Sequence, residues 1–213
     1  MIKTCAICQK QNEFEDIIPS SKLTRPRKEE EVAYFNMWHR IIEVCPECGY
    51  ASYDVSTTSN PNIINNKNYK NIPELEYVEE LNNHVPNRLA PLLQAALYYS
   101  SINDKYNEAL AYLQASDTIC GVVNSLLLQF DFGDDEDNKL LLCADALYQK
   151  ALSILSALLE NNKDNVELYI VYGGALLDGN ELEEKRGLSV LKEALNHNPN
   201  TIQIKILKYL LKM

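Results

Sequence analysis

Two paired cysteine motifs near the N-terminus, a polar asparagine-rich stretch behind them, and apolar residues recurring every three or four positions thereafter predict a mainly α-helical protein. A small β-rich ribbon heads the chain in residues 1–55, a polar linker covers 56–73, and 74–213 form the helical domain. At 213 residues the chain is long enough to bury a core, as one large domain or two small ones.

Residues 1–55 are turn-rich, with strands expected from Phe14 to Ile18 and from Met37 to Val44, the second leading into Cys45. The stretch from Ser56 through Asn60, Asn62, Asn65, Asn66, Asn68 and Asn71 carries too little apolar surface to offset the entropy of ordering it. Pro73 suits a first helical position, and Leu75, Val78 and Leu81 then fall on one face. Leu89, Leu92, Leu93, Ala96 and Leu97 form the next stripe, ended by Asn103-Asp104, and Tyr106, Ala109, Leu110 and Leu113 form another. A long stripe runs from Leu140 through Ala144, Leu147, Ala151, Ile154, Leu155 and Leu158 to the turn Asn161–Asn165. Leu168, Val171, Tyr172 and Ala175 follow, with Gly179-Asn180 as a stop. The next helix is expected around Leu188, Leu191, Ala194 and Leu195, after a long loop from Gly179 to Gly187. Ile202, Ile206, Leu207 and Leu210 mark the last helix. Gly173-Gly174 falls inside a helix, where it allows close helix packing.

Of six cysteines, four form the pairs Cys5-x-x-Cys8 and Cys45-x-x-Cys48. Two such hairpins pinch one ion between them and supply four thiolates in a tetrahedron, the arrangement of structural zinc. In the second hairpin Pro46 presets the turn, and Gly49 permits a positive φ that turns backbone N–H groups toward sulfur. The first, Cys5-Ala6-Ile7-Cys8-Gln9, has neither aid. The 36 residues between Cys8 and Cys45 leave room for two or three strands. Iron in a rubredoxin-like site and four buried free cysteines are the competing readings. Four thiolates leave no open position, so the expected cofactor is structural Zn2+. His39, six residues before Cys45, reads as a surface histidine, and Cys120 and Cys143 as small core residues.

The formal charge is −10, and its placement is informative. Residues 1–50 hold seven Lys/Arg against eight Asp/Glu, and residues 51–213 hold thirteen against twenty-two. An acidic helical part repels nucleic acid and anionic lipid, so neither is an expected partner. A protein or peptide with a basic or amphipathic segment is. No run approaches 18 consecutive apolar residues and no secretion signal is visible, which predicts a cytoplasmic protein without membrane spans.

The basic patch of Lys22, Arg25, Arg27 and Lys28 is cancelled by Glu29, Glu30 and Glu31, and reads as a solvated loop. Asp131-Phe132-Gly133 lacks the rest of a kinase signature, and Asp134 to Asp137 lack the spacing of a calcium loop. The three histidines and seven glycines form no zincin, nucleophile-elbow or phosphate-loop pattern. No catalytic residue is assigned.

Gly187 with Ala194-Leu195 and Pro199-Asn200, and Tyr106, Glu108, Ala109 and Leu113, resemble second helices of tetratricopeptide repeats, although the first-helix Trp and Gly are missing. A plain helical bundle is the alternative. Cys5-x-x-Cys8, then Val44-Cys45-Pro46-Glu47-Cys48-Gly49-Tyr50-Ala51, then a helical remainder resembles a bacterial family catalogued as domain of unknown function 2225. Ala6 departs from that family's Cys-Pro-x-Cys first knuckle. The resemblance implies that Cys5, Cys8, Cys45 and Cys48 are metal ligands, and it implies no activity. The expected function is a non-catalytic protein- or peptide-binding module. A nucleic-acid-associated ribbon protein and an enzyme of unrecognised chemistry are the alternatives.

Overall fold

The computed structural model describes residues 2–13, 15–17, 28–38, 42–58, 89–127 and 134–213. Most of the expected linker, the helix expected from Pro73, the basic residues Lys22 to Arg27, His39, His84 and Asp131-Phe132-Gly133 lie outside the described residues. The protein is mainly helical behind a small β-rich N-terminal region.

Strands β1 (Ile2–Thr4) and β2 (Gln11–Glu13) pair antiparallel, with Ile2 opposite Glu13 and Thr4 opposite Gln11. Strands β3 (Glu15–Ile17), β4 (Ile42–Val44) and β5 (Ala51–Ser52) form a second antiparallel sheet in the order β3-β4-β5. Val44 sits opposite Glu15 on one side and Ala51 on the other. Each cysteine pair therefore lies in a hairpin, between β1 and β2 and between β4 and β5.

Among the described residues there are seven helices: α1 (Glu29–Trp38), α2 (Leu89–Ser101), α3 (Lys105–Leu127), α4 (Asp134–Asn161), α5 (Val166–Leu177), α6 (Glu181–Ala194) and α7 (Thr201–Leu210). Two expectations need correction. Met37 and Trp38 end a helix, and the described strand spans Ile42–Val44. The charged run Glu29–Glu31 is the first turn of that helix, where carboxylates meet the positive end of the helix dipole. The long loop from Gly179 to Gly187 is also mostly helix. Asn180 forms a capping box with Glu183, so α6 starts at Glu181 and Gly187 falls in its middle.

The chain divides into two compact units, each made of two pieces: Met1–Ser21 with Arg40–Ala151, and Lys22–His39 with Leu152–Met213. In the first, α2 and α3 pack along each other across the turn at Asn103, whose φ is 59°. Leu89, Leu92, Leu93 and Ala96 on α2 and Ala109, Leu110 and Leu113 on α3 are all buried. Strand β5 rests on α2 through two aromatic pairs. Tyr50 meets Tyr98 edge-on at 5.2 Å, and Tyr53 stacks on Tyr99 at 5.3 Å. The Tyr99 hydroxyl also accepts the Tyr53 backbone N–H at 2.8 Å.

In the second unit every residue of α5 from Leu168 to Leu176 is buried, so the helix is packed on all sides. Its partner α6 crosses at two glycines. A Cβ on Gly187 would lie 2.7 Å from the Gly173 carbonyl oxygen, and one on Gly173 would lie 2.7 Å from Leu191 Cγ. The expected close packing at Gly173 is therefore present. Helix α1 belongs to this unit and packs on α7, placing Ala33, Tyr34 and Met37 against Val166, Tyr169, Ile170, Ile206 and Leu207.

By length and composition, Lys139–Asn161 of α4 is one helix apolar enough to cross a membrane. Within it Leu140, Cys143, Ala144, Leu147, Ala151, Leu152 and Leu155 are buried, while Leu142 is exposed.

Candidate metal centre

The two hairpins bend alike, bond for bond. In the first, the Gln9 N–H donates to the Cys5 carbonyl at 3.0 Å and the Cys5 N–H donates to the Lys10 carbonyl at 3.0 Å. In the second, Gly49 donates to Cys45 at 2.8 Å and Cys45 donates to Tyr50 at 2.9 Å. This bend needs a left-handed residue after the second cysteine. Gly49 supplies it at φ 72°, and Gln9 adopts it at φ 60° despite its side chain. The Gln9 amide partly offsets the strain by donating to the Ala6 carbonyl at 2.9 Å.

The hairpins converge so that the sulfurs of Cys5, Cys8, Cys45 and Cys48 all lie within 4.8 Å of one another. Across the hairpins Cys5 Sγ is 3.7 Å from Cys48 Sγ, and Cys8 Sγ is 3.6 Å from Cys45 Sγ. A disulfide requires about 2.05 Å, so these are not bonded pairs. A tetrahedral ion with thiolate bonds of about 2.3 Å sets its ligands roughly 3.8 Å apart, which the cross-hairpin distances match. All four expected ligands are thus together, and they can hold a metal ion.

The surroundings act unevenly on the thiols. Burial pushes the Cys5 and Cys48 thiols up, while the Lys10 backbone N–H holds the Cys8 thiol below its ordinary value. A dication held at the centre would offset the burial cost of the thiolates. The Ile7 N–H points at Cys5 Sγ at 3.4 Å.

Two lysines that the sequence did not single out brace the hairpins. Lys10, just past the first, pairs with Glu47 inside the second at 2.5 Å. Lys3 on β1 pairs with Glu43 on β4, and Glu43 also accepts the Val55 N–H at 3.1 Å. The visible signal was positional: each charged residue flanks or lies within a cysteine pair, with opposite signs on the two hairpins.

Comparison with protein-family models, curated proteins and solved structures finds no match.

The two left-handed positions yield a paired prediction. A Cβ on Gly49 meets nothing within 4 Å among the described residues, so Gly49→Ala bears only backbone strain, about 1–2 kcal/mol. Gln9→Gly relieves the same strain but gives up the amide bond, and should change stability by less than about 1 kcal/mol. Urea titration of the metal-loaded chain checks both. Equal shifts for the two variants would contradict the shared bend.

Proposed function

We propose that the protein is a non-catalytic protein- or peptide-binding module whose N-terminal ribbon is held by structural zinc. Zinc is favoured because four thiolates at tetrahedral spacing complete its coordination and leave no site for water or substrate. The N-caps Asn165 and Asn200 stand 35 residues apart, close to the roughly 34-residue tetratricopeptide period, which supports reading α5–α7 as one repeat and the start of another. The string from Val44 to Ala51 remains the basis for proposing kinship with the family catalogued as domain of unknown function 2225.

The observation that carries the binding role is a cavity of about 360 Å³ in the first unit. Tyr50, Tyr53, Tyr98 and Tyr99 line it together with Asp54, Asp104 and Asn107. Aromatic faces beside carboxylates suit a lysine or arginine side chain, held by cation–π attraction and charge. The acidic balance of residues 51–213 steers a basic segment toward it.

The test is capture of partners from cells expressing the tagged chain, followed by binding measurements with each identified protein. A partner with a basic or amphipathic segment is expected, with association slowing as salt rises. Asp54→Asn combined with Asp104→Asn should weaken it about three- to tenfold. An acidic partner, a nucleic acid, or binding that maps to residues 1–55 alone would overturn this reading.

A further inference from the structure

We propose that the tyrosine-lined cavity is a cage for a methylated ammonium group, the head of a trimethylated lysine side chain or of a free quaternary amine. This rests on the cavity being the binding site, and it adds which cation that site prefers.

Size sets the first limit. At about 360 Å³ the cavity stands at the small end of ligand sites, so it takes one cationic head and not a folded segment. Its walls are rings set at steep angles. Tyr50 and Tyr98 lie at 82° with centroids 5.2 Å apart, and Tyr98 and Tyr99 at 61° and 5.2 Å. Two ring hydroxyls are tied to backbone, which holds those walls in place before any ligand arrives. Tyr50 donates to the Thr57 carbonyl at 2.9 Å, and Tyr99 accepts the Tyr53 N–H at 2.8 Å. A compact, rounded head with its charge spread over methyl groups meets angled ring faces on several sides at once. A guanidinium sandwiched between two rings needs them about 7 Å apart, twice a van der Waals contact. Tyr53 and Tyr99, the near-parallel pair, stand 5.3 Å apart and leave no such slot.

The carboxylates point the same way. Asp54 Oδ1 accepts the Ser56 N–H at 3.0 Å and the Ser56 hydroxyl at 2.6 Å, and Lys3 Nζ approaches the same oxygen at 3.6 Å. Asp104 Oδ1 accepts the Asn107 N–H at 3.2 Å, and its Oδ2 accepts the Asn107 side-chain amide at 2.7 Å. Both acids thus spend acceptor capacity on the protein's own donors while keeping their charge. The Ser56 hydroxyl holds the Asp54 carboxyl below its usual range, so it is ionised at neutral pH. Such a site offers a field more than it offers directed hydrogen bonds. A primary ammonium entering it strips water from three N–H donors and finds few acceptors in return. A quaternary ammonium has no N–H to leave unmatched.

The probes are choline, ethanolamine and 3,3-dimethylbutan-1-ol, titrated into the full chain by calorimetry. Ethanolamine keeps the charge without the methyl groups, and the alcohol keeps the shape without the charge. Choline should bind about tenfold more tightly than either. A glycine-flanked trimethyllysine peptide should gain similarly over its unmodified lysine form. The tighter of that peptide and choline names the source of the head. Tyr53 is only half-buried, so it can be replaced with least harm to the fold. Tyr53→Leu should weaken choline several-fold, whereas Tyr53→Phe, which keeps the ring, should bind it as the unaltered chain does. Asp54 is half exposed, and Asp54→Asn should weaken it about threefold. Ethanolamine or plain lysine binding as well as its methylated counterpart would overturn the cage and leave a simple cation site. The alcohol matching choline, or Tyr53→Phe losing as much as Tyr53→Leu, overturns it too. If no probe and neither peptide binds, the cavity reading itself falls.

Discussion

Replacing Cys45 by Ser should empty the metal centre and destabilise the whole first unit, not the ribbon alone. The purified chain is expected to hold one zinc, and structural zinc carries roughly 10–16 kcal/mol of apparent binding energy coupled to folding. Three remaining thiolates cannot close the tetrahedron set by the distances across the hairpins. Once the second hairpin loosens, Tyr50 and Tyr53 leave Tyr98 and Tyr99, and the apolar side of α2 loses its cover. Elemental analysis and a thermal melt should show metal loss and a lowered first transition, with the transition of the second unit retained. Cys120→Ser, outside the cluster, should keep the metal. Finding no metal, mainly iron, or full zinc occupancy in the Cys45→Ser variant would refute the assignment.

Gly187→Ala should damage the second unit more than Gly173→Ala does. Its new carbon would strike backbone, at 2.7 Å from the Gly173 oxygen, and would lie 3.0 Å from Leu176 Cβ. Backbone cannot swing aside as a side chain can, so α5 and α6 must separate. Overpacking of this kind costs about 3 kcal/mol, and the helix propensity regained returns roughly 1, leaving about 2 kcal/mol net. Gly173→Ala meets chiefly the Leu191 side chain, at 2.7 and 2.9 Å, and should cost less. Chemical denaturation of the two variants ranks them. The reverse order would mean that Leu191, not the glycine crossing, sets the spacing.

What the sequence disclosed follows from the range of the interactions involved. The cysteine pairs point to the candidate metal centre because each hairpin is a local motif, and the stripes of α2, α4 and α5 are legible because apolar period is local too. Helix α1 was read as charged loop and strand. It is short, aromatic and β-leaning in composition, and its packing partners lie on α5 and α7, far along the chain. One local clue was present, the acidic first turn of Glu29–Glu31. Asn180 with Glu183 likewise marked the start of α6, but Gly187 in the middle of that helix was read as part of a loop. The lysine–glutamate braces between the hairpins showed in the sequence only as opposite charges beside the two cysteine pairs, since only the closed fold brings Lys10 to Glu47 and Lys3 to Glu43.

The pairing of Glu29 with Lys205 joins residues 176 positions apart, and this has a consequence for how the chain is made. At about 5–20 residues per second, α1 leaves the ribosome on the order of ten to thirty seconds before the helix it packs on has been synthesised. The ribbon has all four of its cysteines as soon as residue 48 emerges, and could close around an ion while that wait is still running. Early metal capture would then draw the two ends of the segment carrying α1 together and limit how far an unpartnered apolar helix can stray. Starving the translating chain of zinc should therefore show first as aggregation of nascent protein, before any loss of the finished fold.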